Sequence, residues 1–379
     1  MRRGFLFGGA MNQIVIKDGE KDLKTFVDFP YQLYKNDPYW VGELKTDTLK
    51  LLKLDNAFWT HARRKLLLAY KDGQLAGRLC ALVNDTYNEY QKENIGFFGF
   101  FDAVNDQQVA HALFEEGEKW LKAQGVSAVR GPANPSSNHV YGLLTDSFDS
   151  MPSIMMPYNY PYYTELIEKE GFEKVKDLLA FHRTKEDKFS PLFEKIVARA
   201  ARGKGLVLRR LNLKNLKAEA SIIRKIYNDA WAENWGHTPI SEQEIQDMVQ
   251  ELKWIVKSEG TCVAEVDGVP AGFYIAIPNM NHVLQILRGT LCNPWRTLKA
   301  LLKWPKIRDA RLIMLGVDPN YRKRGIDLVL IKHIVEYGVA IWDEAELSWI
   351  LEDNDGIIRA MTEAGCQQTK RYRLYQKSL

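Results

Sequence analysis

Leu315-Gly316-Val317-Asp318-Pro319-Asn320-Tyr321-Arg322-Lys323-Arg324-Gly325-Ile326 is the stretch that decides the fold. The apolar run from Leu312 to Val317 reads as a strand, and Leu328 to Val339 as a helix. Between them Asp-Pro-Asn and a glycine impose a tight turn. Such a turn aims successive backbone N–H groups outward at a helix N-terminus, where the peptide dipoles also favour negative charge. Gly325 permits close backbone approach, and Arg322 and Arg324 flank Lys323 with further positive charge. This is the chemistry of an anion site.

A second signal follows at a fixed distance. The strand Glu346 to Leu351 ends in Glu352-Asp353-Asn354, a helix runs from Ile357 to Ala364, and Gly365 stands eleven residues beyond the Asn. Together the two segments resemble the GNAT superfamily of acyltransferases, whose acyl-CoA segment reads V-x-P-x-x-[RQ]-x-x-G-x-[GA] and whose second motif is an Asn, a helix and a Gly. The resemblance covers Gly205 to Lys377. It implies an acyl-CoA or acetyl-CoA co-substrate. Backbone near Leu315 and Val317 would hold the thioester carbonyl, Arg322, Lys323, Arg324, Gly325 and Ile326 the diphosphate, and Asn354 would complete the cofactor site. Two positions depart from the pattern. Asp327 replaces the last small residue of the turn, where a carboxylate caps a helix but repels a diphosphate. Met361 stands where many members carry a tyrosine general acid, and a thioether has no proton to give.

Outward from these motifs the chain repeats itself. In the first half Lys65 to Tyr70 and Ala76 to Val83 form a hairpin across Lys71-Asp72-Gly73. The strand Ile95 to Phe101, the helix Gln107 to Gln124, the strand Val126 to Val129, the helix Tyr162 to Glu170 and the strand Lys174 to His182 follow. In the second half Cys262 to Glu265 and Ala271 to Ile277 pair across Asp267-Gly268, and the same order ends in Tyr372 to Gln376. Many α+β domains share that order, so order alone does not establish duplication. The expected architecture is α/β with mixed sheets, in two tandem GNAT-like domains. The division is 1–10 as an extension, with Met11 an alternative start, 11–185 as a degenerate domain, 186–204 as a helical linker and 205–379 as the GNAT domain.

Whole-chain phrases sharpen the resemblance: Arg130-Gly131-Pro132-Ala133-Asn134-Pro135, Met155-Met156-Pro157-Tyr158-Asn159, Asn234-Trp235-Gly236 and Leu351-Glu352-Asp353-Asn354. They are similar to a bacterial family of double-GNAT proteins that resembles the bacterial ceramide synthases, which join a fatty acyl group to a long-chain amine. Asp327 is usual in that family.

Composition sets outer limits. The formal charge is +4 with both signs interleaved, so no basic stripe argues for nucleic acid. The 4 cysteines lie far apart, without metal or disulfide spacing, as in a reducing cytoplasm, and no metal is expected. No apolar run is long enough to span a bilayer.

Acyl transfer to an amine needs a base, oxyanion donors and a proton for the leaving thiolate. Glu352, at a strand end, is the candidate base, although a helix-capping pair with Asp353 would look the same. Tyr163 is the candidate acid from the first half, where a packing tyrosine would look the same. Asn234 and Trp235, between two helices, and Asn134 and Asn138, in a rigid loop that would reach across to the other half, are candidate acceptor contacts. His139, His237 and His282 show no ligand spacing. The insertion 284–308 mixes leucines and tryptophans with charges that are all positive before Asp309, the pattern of a helix on an anionic bilayer, or of one packed on a partner domain. The expected function is transfer of an acyl group from acyl-CoA or an acyl carrier protein to a small or lipid-like amine, in the cytoplasm and in contact with the inner membrane. The rivals are a non-catalytic ligand-binding descendant and an aminoacyl-tRNA-dependent transferase.

Overall fold

The computed structural model describes residues 13–338 and 340–379, so the expected extension 1–10 lies outside the described residues. The strands in chain order are β1 (Ile14–Asp18), β2 (Ala62–Lys71), β3 (Gln74–Asn84), β4 (Ile95–Ala103), β5 (Ala128–Gly131), β6 (Ala133–Asn134), β7 (Val140–Tyr141), β8 (Leu143–Leu144) and β9 (Glu173–Thr184). In the second half they are β10 (Leu206–Arg209), β11 (Thr261–Val266), β12 (Val269–Pro278), β13 (Asp309–Val317), β14 (Glu344–Leu351) and β15 (Gln367–Ser378). One continuous sheet runs β1-β2-β3-β4-β5-β15-β9-β14-β13-β12-β11-β10, with β8 added beside β15.

The two ends of this sheet are copies of one another. From each edge inward the strands pair antiparallel up to a single parallel pair, β4 with β5 in one half and β13 with β14 in the other. The last strand of each half then lies on the far side: β9 pairs with β14, and β15 pairs with β5. The halves join where β9 and β15 run antiparallel, from Gln367↔His182 to Gln376↔Glu173. The repeated order legible in the sequence is therefore present, but each half borrows its final strand from the other.

Helices cover both faces, which is why the central strands are apolar on both sides. β4 is buried along its whole length. In the first half Leu113 and Phe114 of the helix Gln107–Ala123 pack one face with Leu79, while Phe26 and Leu66 pack the other with Leu82. In the second half Leu330 and Ile331 of the helix Ile326–Gly338 lie over Tyr274, and Ile226 of the helix Leu216–Ala230 lies over Phe273. The expected linker helix is Pro191–Ala200. Ser190 caps it by accepting from the Phe193 amide at 3.0 Å, and Phe193 and Val197 are buried in the second-half core. The segment before residue 62, unread in the sequence, supplies the edge strand β1 and the helix Leu23–Leu33.

The parallel pairs are short. β13 and β14 stay together only from Asp309↔Glu344 to Leu312↔Leu347, and β4 and β5 only from Ile95↔Ala128 to Phe97↔Arg130. Beyond those points each pair opens like a wedge. In β13 the register against β12 also shifts between Ile275 and Ala276, which leaves Ile313 without a strand partner.

Candidate active site

The second-half wedge opens into a cleft of about 760 Å³. Leu312 to Val317 form one wall and Leu347 to Leu351 the other, and the turn after β13 closes one end with Tyr321, Arg322, Lys323 and Asp327. Past Leu312 no strand among the described residues pairs with β13 on its β14 side, so backbone polar groups there face the cleft. Leu315 and Val317, singled out from the sequence, stand on that wall.

The turn is built as an amide cradle. Asp318 is buried and its side chain accepts from the Asn320 amide at 2.9 Å, holding the start of the turn. Lys323 has φ +62° and Gly325 φ +74°, so the chain turns back through two left-handed residues before the helix Ile326–Gly338 begins. The Val329 amide bonds the Gly325 carbonyl at 3.0 Å, whereas the amides from Lys323 to Leu328 have no partner among the described residues. Six consecutive unpaired donors at a helix N-terminus form a strong anion cradle. Arg322 is anchored beside it, its Nη2 donating to the Ala230 carbonyl at 2.5 Å. The Arg324 guanidinium lies 5.1 Å over the Tyr321 ring. The Ile326 side chain packs into the core, and Arg324, Gly325 and Ile326 are not among the residues that line the cleft. Asn354 lines the cleft and caps the helix Asp355–Glu363 by accepting from the Ile357 amide at 3.3 Å. Met361 is buried on the same wall.

The first-half wedge is filled by its own chain. A Cβ added at Gly99 of β4 would lie 1.7 Å from the Ala133 carbonyl oxygen, so β6 sits directly on that strand. The side-chain oxygen of Asn134 accepts from the Phe100 amide at 2.5 Å, beside the bulge in β4. Asn134 therefore occupies the space that stays open in the other half, and does not reach the second-half cleft.

Asn138 does reach it. Its Nδ2 donates to the Thr238 carbonyl at 3.2 Å, and its oxygen accepts from the Tyr227 hydroxyl at 2.8 Å. That latch carries the segment 137–141 of the first half into the second-half cleft. Asn234 and Trp235 line it as well, with the Trp235 ring held by Arg130 at 4.8 Å and Lys176 at 5.4 Å.

The two acid–base candidates are directed elsewhere. Glu352 Oε2 accepts from Lys174 at 2.7 Å and Oε1 from the Asp177 amide at 2.9 Å. Its oxygens tie β14 to β9, and Asp353, paired with Lys176 at 2.8 Å, lines the cleft in its stead. The physical reason is the borrowed strand: β9 brings two lysines to the end of β14. Tyr163 is 1% exposed and its hydroxyl sits in a closed network, accepting from Tyr34 at 2.9 Å and from the Ala103 amide at 3.1 Å and donating to Asp102 at 3.2 Å. Burial first, and then the Asp102 charge, hold its proton well above the ordinary tyrosine range.

Three polar groups of the cleft were not legible in the sequence. The Tyr141 hydroxyl, the Trp349 indole nitrogen and the His237 Nε2 are buried without a hydrogen-bond partner among the described residues, and all three residues line this cleft. Burial lowers His237 to about 4, so its imidazole is neutral near pH 7.

A second cavity of about 420 Å³ adjoins the first, between the first-half segment 40–58 and the helix Glu242–Leu252; Phe100, Asn134 and Tyr163 line it too, and its mostly apolar wall is interrupted by Arg78, Glu43, Asp102 and Glu251. Asn138, His139, Met155, Ile240 and Met248 line both spaces. The insertion consists of two helices: Asn281–Leu287 ends at Arg288 with φ +48°, and Pro294–Lys303 follows. Trp295 is 74% exposed, and Leu298, Leu301 and Leu302 are exposed with it. No helix among the described residues is long and apolar enough to cross a membrane.

Residues 220–365 match the model of the acetyltransferase (GNAT) family. Over 367 residues the chain is 35% identical to protein YghO of Escherichia coli strain K12, covering 95% of this chain and 94% of that protein. Over 370 residues it is 31% identical to the bacterial ceramide synthase of Caulobacter vibrioides, covering 94% and 95%. Among solved structures, a tandem GNAT protein from the clavulanic acid biosynthesis pathway superposes with a TM-score of 0.55 at 11% identity, covering 97% of this chain and 98% of that one.

Proposed function

The chain belongs to the GNAT acyltransferase superfamily, in the tandem family of YghO and the bacterial ceramide synthase, and we propose that it transfers an acyl group from acyl-CoA to a lipid-like amine in its second-half cleft. The observation that carries this reading is the run of unpaired amides from Lys323 to Leu328 at the end of an open strand wedge. The diphosphate of the donor would lie on that run, with its thioester along β13. The first half would take no donor, because Asn134 and Ala133 already occupy its wedge. Its part is to supply the wall 137–141.

The adjoining apolar cavity supports an acceptor with an aliphatic chain, since it continues the cleft past Met155 and Met248. The exposed face of Pro294–Lys303 supports delivery from a membrane surface. Its apolar side chains face outward, and Arg288, Arg296, Lys299, Lys303 and Lys306 surround them without an acid before Asp309. The protein should sediment with vesicles rich in anionic phospholipid and not with neutral ones. Trp295→Glu with Leu298→Glu should remove that binding, and binding left intact would count against the membrane contact.

Calorimetry should find one coenzyme A bound per chain. Arg322→Ala should weaken it by about tenfold, the size of one partly exposed charge-assisted contact to phosphate. Thiol release from dodecanoyl-CoA in the presence of dodecylamine is the activity assay. Coenzyme A binding without any thiol release would favour the competing reading, a ligand-binding protein that has lost the reaction, which the thioether at Met361 recommends.

A further inference from the structure

We infer that Tyr141, Trp349 and His237 form the reacting end of the cleft, with Tyr141 and Trp349 as oxyanion donors and His237 as the group that moves the proton. The inference rests on the proposed acyl transfer and assigns roles within it.

The case begins with polar atoms that folding leaves unsatisfied. A buried donor or acceptor without a partner costs about 1–3 kcal/mol, and native interiors contain few of them. Here three line a single cleft. The Tyr141 and Trp349 rings lie 5.9 Å apart and tilted by 36°, one from the first half and one from β14. The place where a Gly236 side chain would begin is 3.8 Å from the Tyr141 hydroxyl, so His237 belongs to the same neighbourhood. His237 is fixed there from both halves. Its ring packs against Tyr90 and Tyr227, and its carbonyl accepts from Gln91 at 2.7 Å.

Several other polar side chains of the cleft are already engaged. Tyr227 donates to Asn138, Asp353 pairs with Lys176, and Arg322 holds the Ala230 carbonyl. Among the described residues, the buried side-chain atoms of the cleft that keep hydrogen-bonding capacity for a reacting substrate are those of Tyr141, Trp349 and His237.

The chemistry balances with those three. The amine lone pair attacks the thioester carbonyl, a C–N bond forms, and the carbonyl oxygen takes the negative charge. The Tyr141 O–H and the Trp349 N–H donate hydrogen bonds to that oxygen. The neutral imidazole of His237 takes one proton from the nitrogen. The C–S bond breaks as the oxyanion collapses, and the imidazolium returns that proton to the thiolate. Amide and thiol leave, with no net change in the protein.

A purely structural role makes the opposite forecast for Tyr141→Phe. Deleting an unpartnered buried hydroxyl should leave stability unchanged or improve it, and should leave the rate alone. The assigned role calls for a fall in kcat of about a hundredfold, the loss of one oxyanion donor, with unchanged melting temperature and unchanged coenzyme A affinity. His237→Gln, which keeps a similar side-chain length, should lower kcat at least as far. The assay is thiol release from dodecanoyl-CoA with dodecylamine. Wild-type turnover with both variants within threefold of it would overturn the assignment while sparing the acyltransferase reading. A wild-type protein that binds coenzyme A but releases no thiol would remove that reading and the assignment with it.

Discussion

Gly325→Val is expected to lower coenzyme A affinity about a hundredfold, or ~2.7 kcal/mol. Gly325 sits at φ +74°, a conformation that β-branched residues avoid, and an added Cβ would lie 2.9 Å from the Ala200 Cβ of the linker helix. Relief of both strains requires the turn to swing, and the turn carries the amides from Lys323 to Leu328. The penalty to folding should stay near 1–3 kcal/mol, because the strain is confined to a surface loop. Calorimetry beside a thermal melt separates the two effects. Affinity within threefold of the wild type, in a folded variant, would mean that this turn does not hold the donor.

Asp177→Ala should destabilise the whole chain by about 2–3 kcal/mol, the size of the charge-assisted hydrogen bonds it removes, since the cations left behind are partly exposed. Asp177 is fully buried at the centre of the β9–β15 junction. It accepts from Arg373 at 2.8 Å and Arg371 at 2.9 Å, and pairs with Lys174 at 3.0 Å. Burial by itself would raise its carboxyl, but the bonds from Arg373, Arg371 and Lys174 prevail and lower it to about 2. A folded-state value below the unfolded one, ~3.9, gives stability that is present above pH 4 and lost as the pH falls through about 2. Urea unfolding of the wild type should therefore weaken over that window, and the same curve for the Ala variant should be flatter there. Equal midpoints at pH 7 would show that the junction does not depend on this carboxylate.

The turn after β13 could be read from residues 315–326 because its geometry is local: a strand end, a turn and a helix start lie within twelve residues. Asn354 was legible as the start of the second motif for the same reason, but its cap on the helix Asp355–Glu363 was not read. Glu352 was misleading because its surroundings come from β9, nearly two hundred residues earlier, and no local pattern tells which strand a chain end will lie beside. Asn134 carried a signal of rigidity in its Pro-rich loop, yet only the sheet shows which wedge the loop enters. Tyr141 stood two residues after the quoted His139 and was passed over, since a tyrosine in a loop has no period, and an unmet hydroxyl is visible only when its neighbours are known.

The exchange of final strands has a bearing on how the molecule is made. A ribosome delivers β1 to β5 early, but the strand that covers β5 is β15, which ends at Ser378. The amino-terminal lobe must wait with an open sheet edge until synthesis is almost complete, while the carboxy-terminal lobe finds its borrowed strand, β9, already out of the exit tunnel. Chains that end shortly before residue 367, once released, should thus hold every residue that lines the second-half cleft beside an unfinished neighbour, and loss of the last dozen residues would injure the lobe farthest from them in sequence.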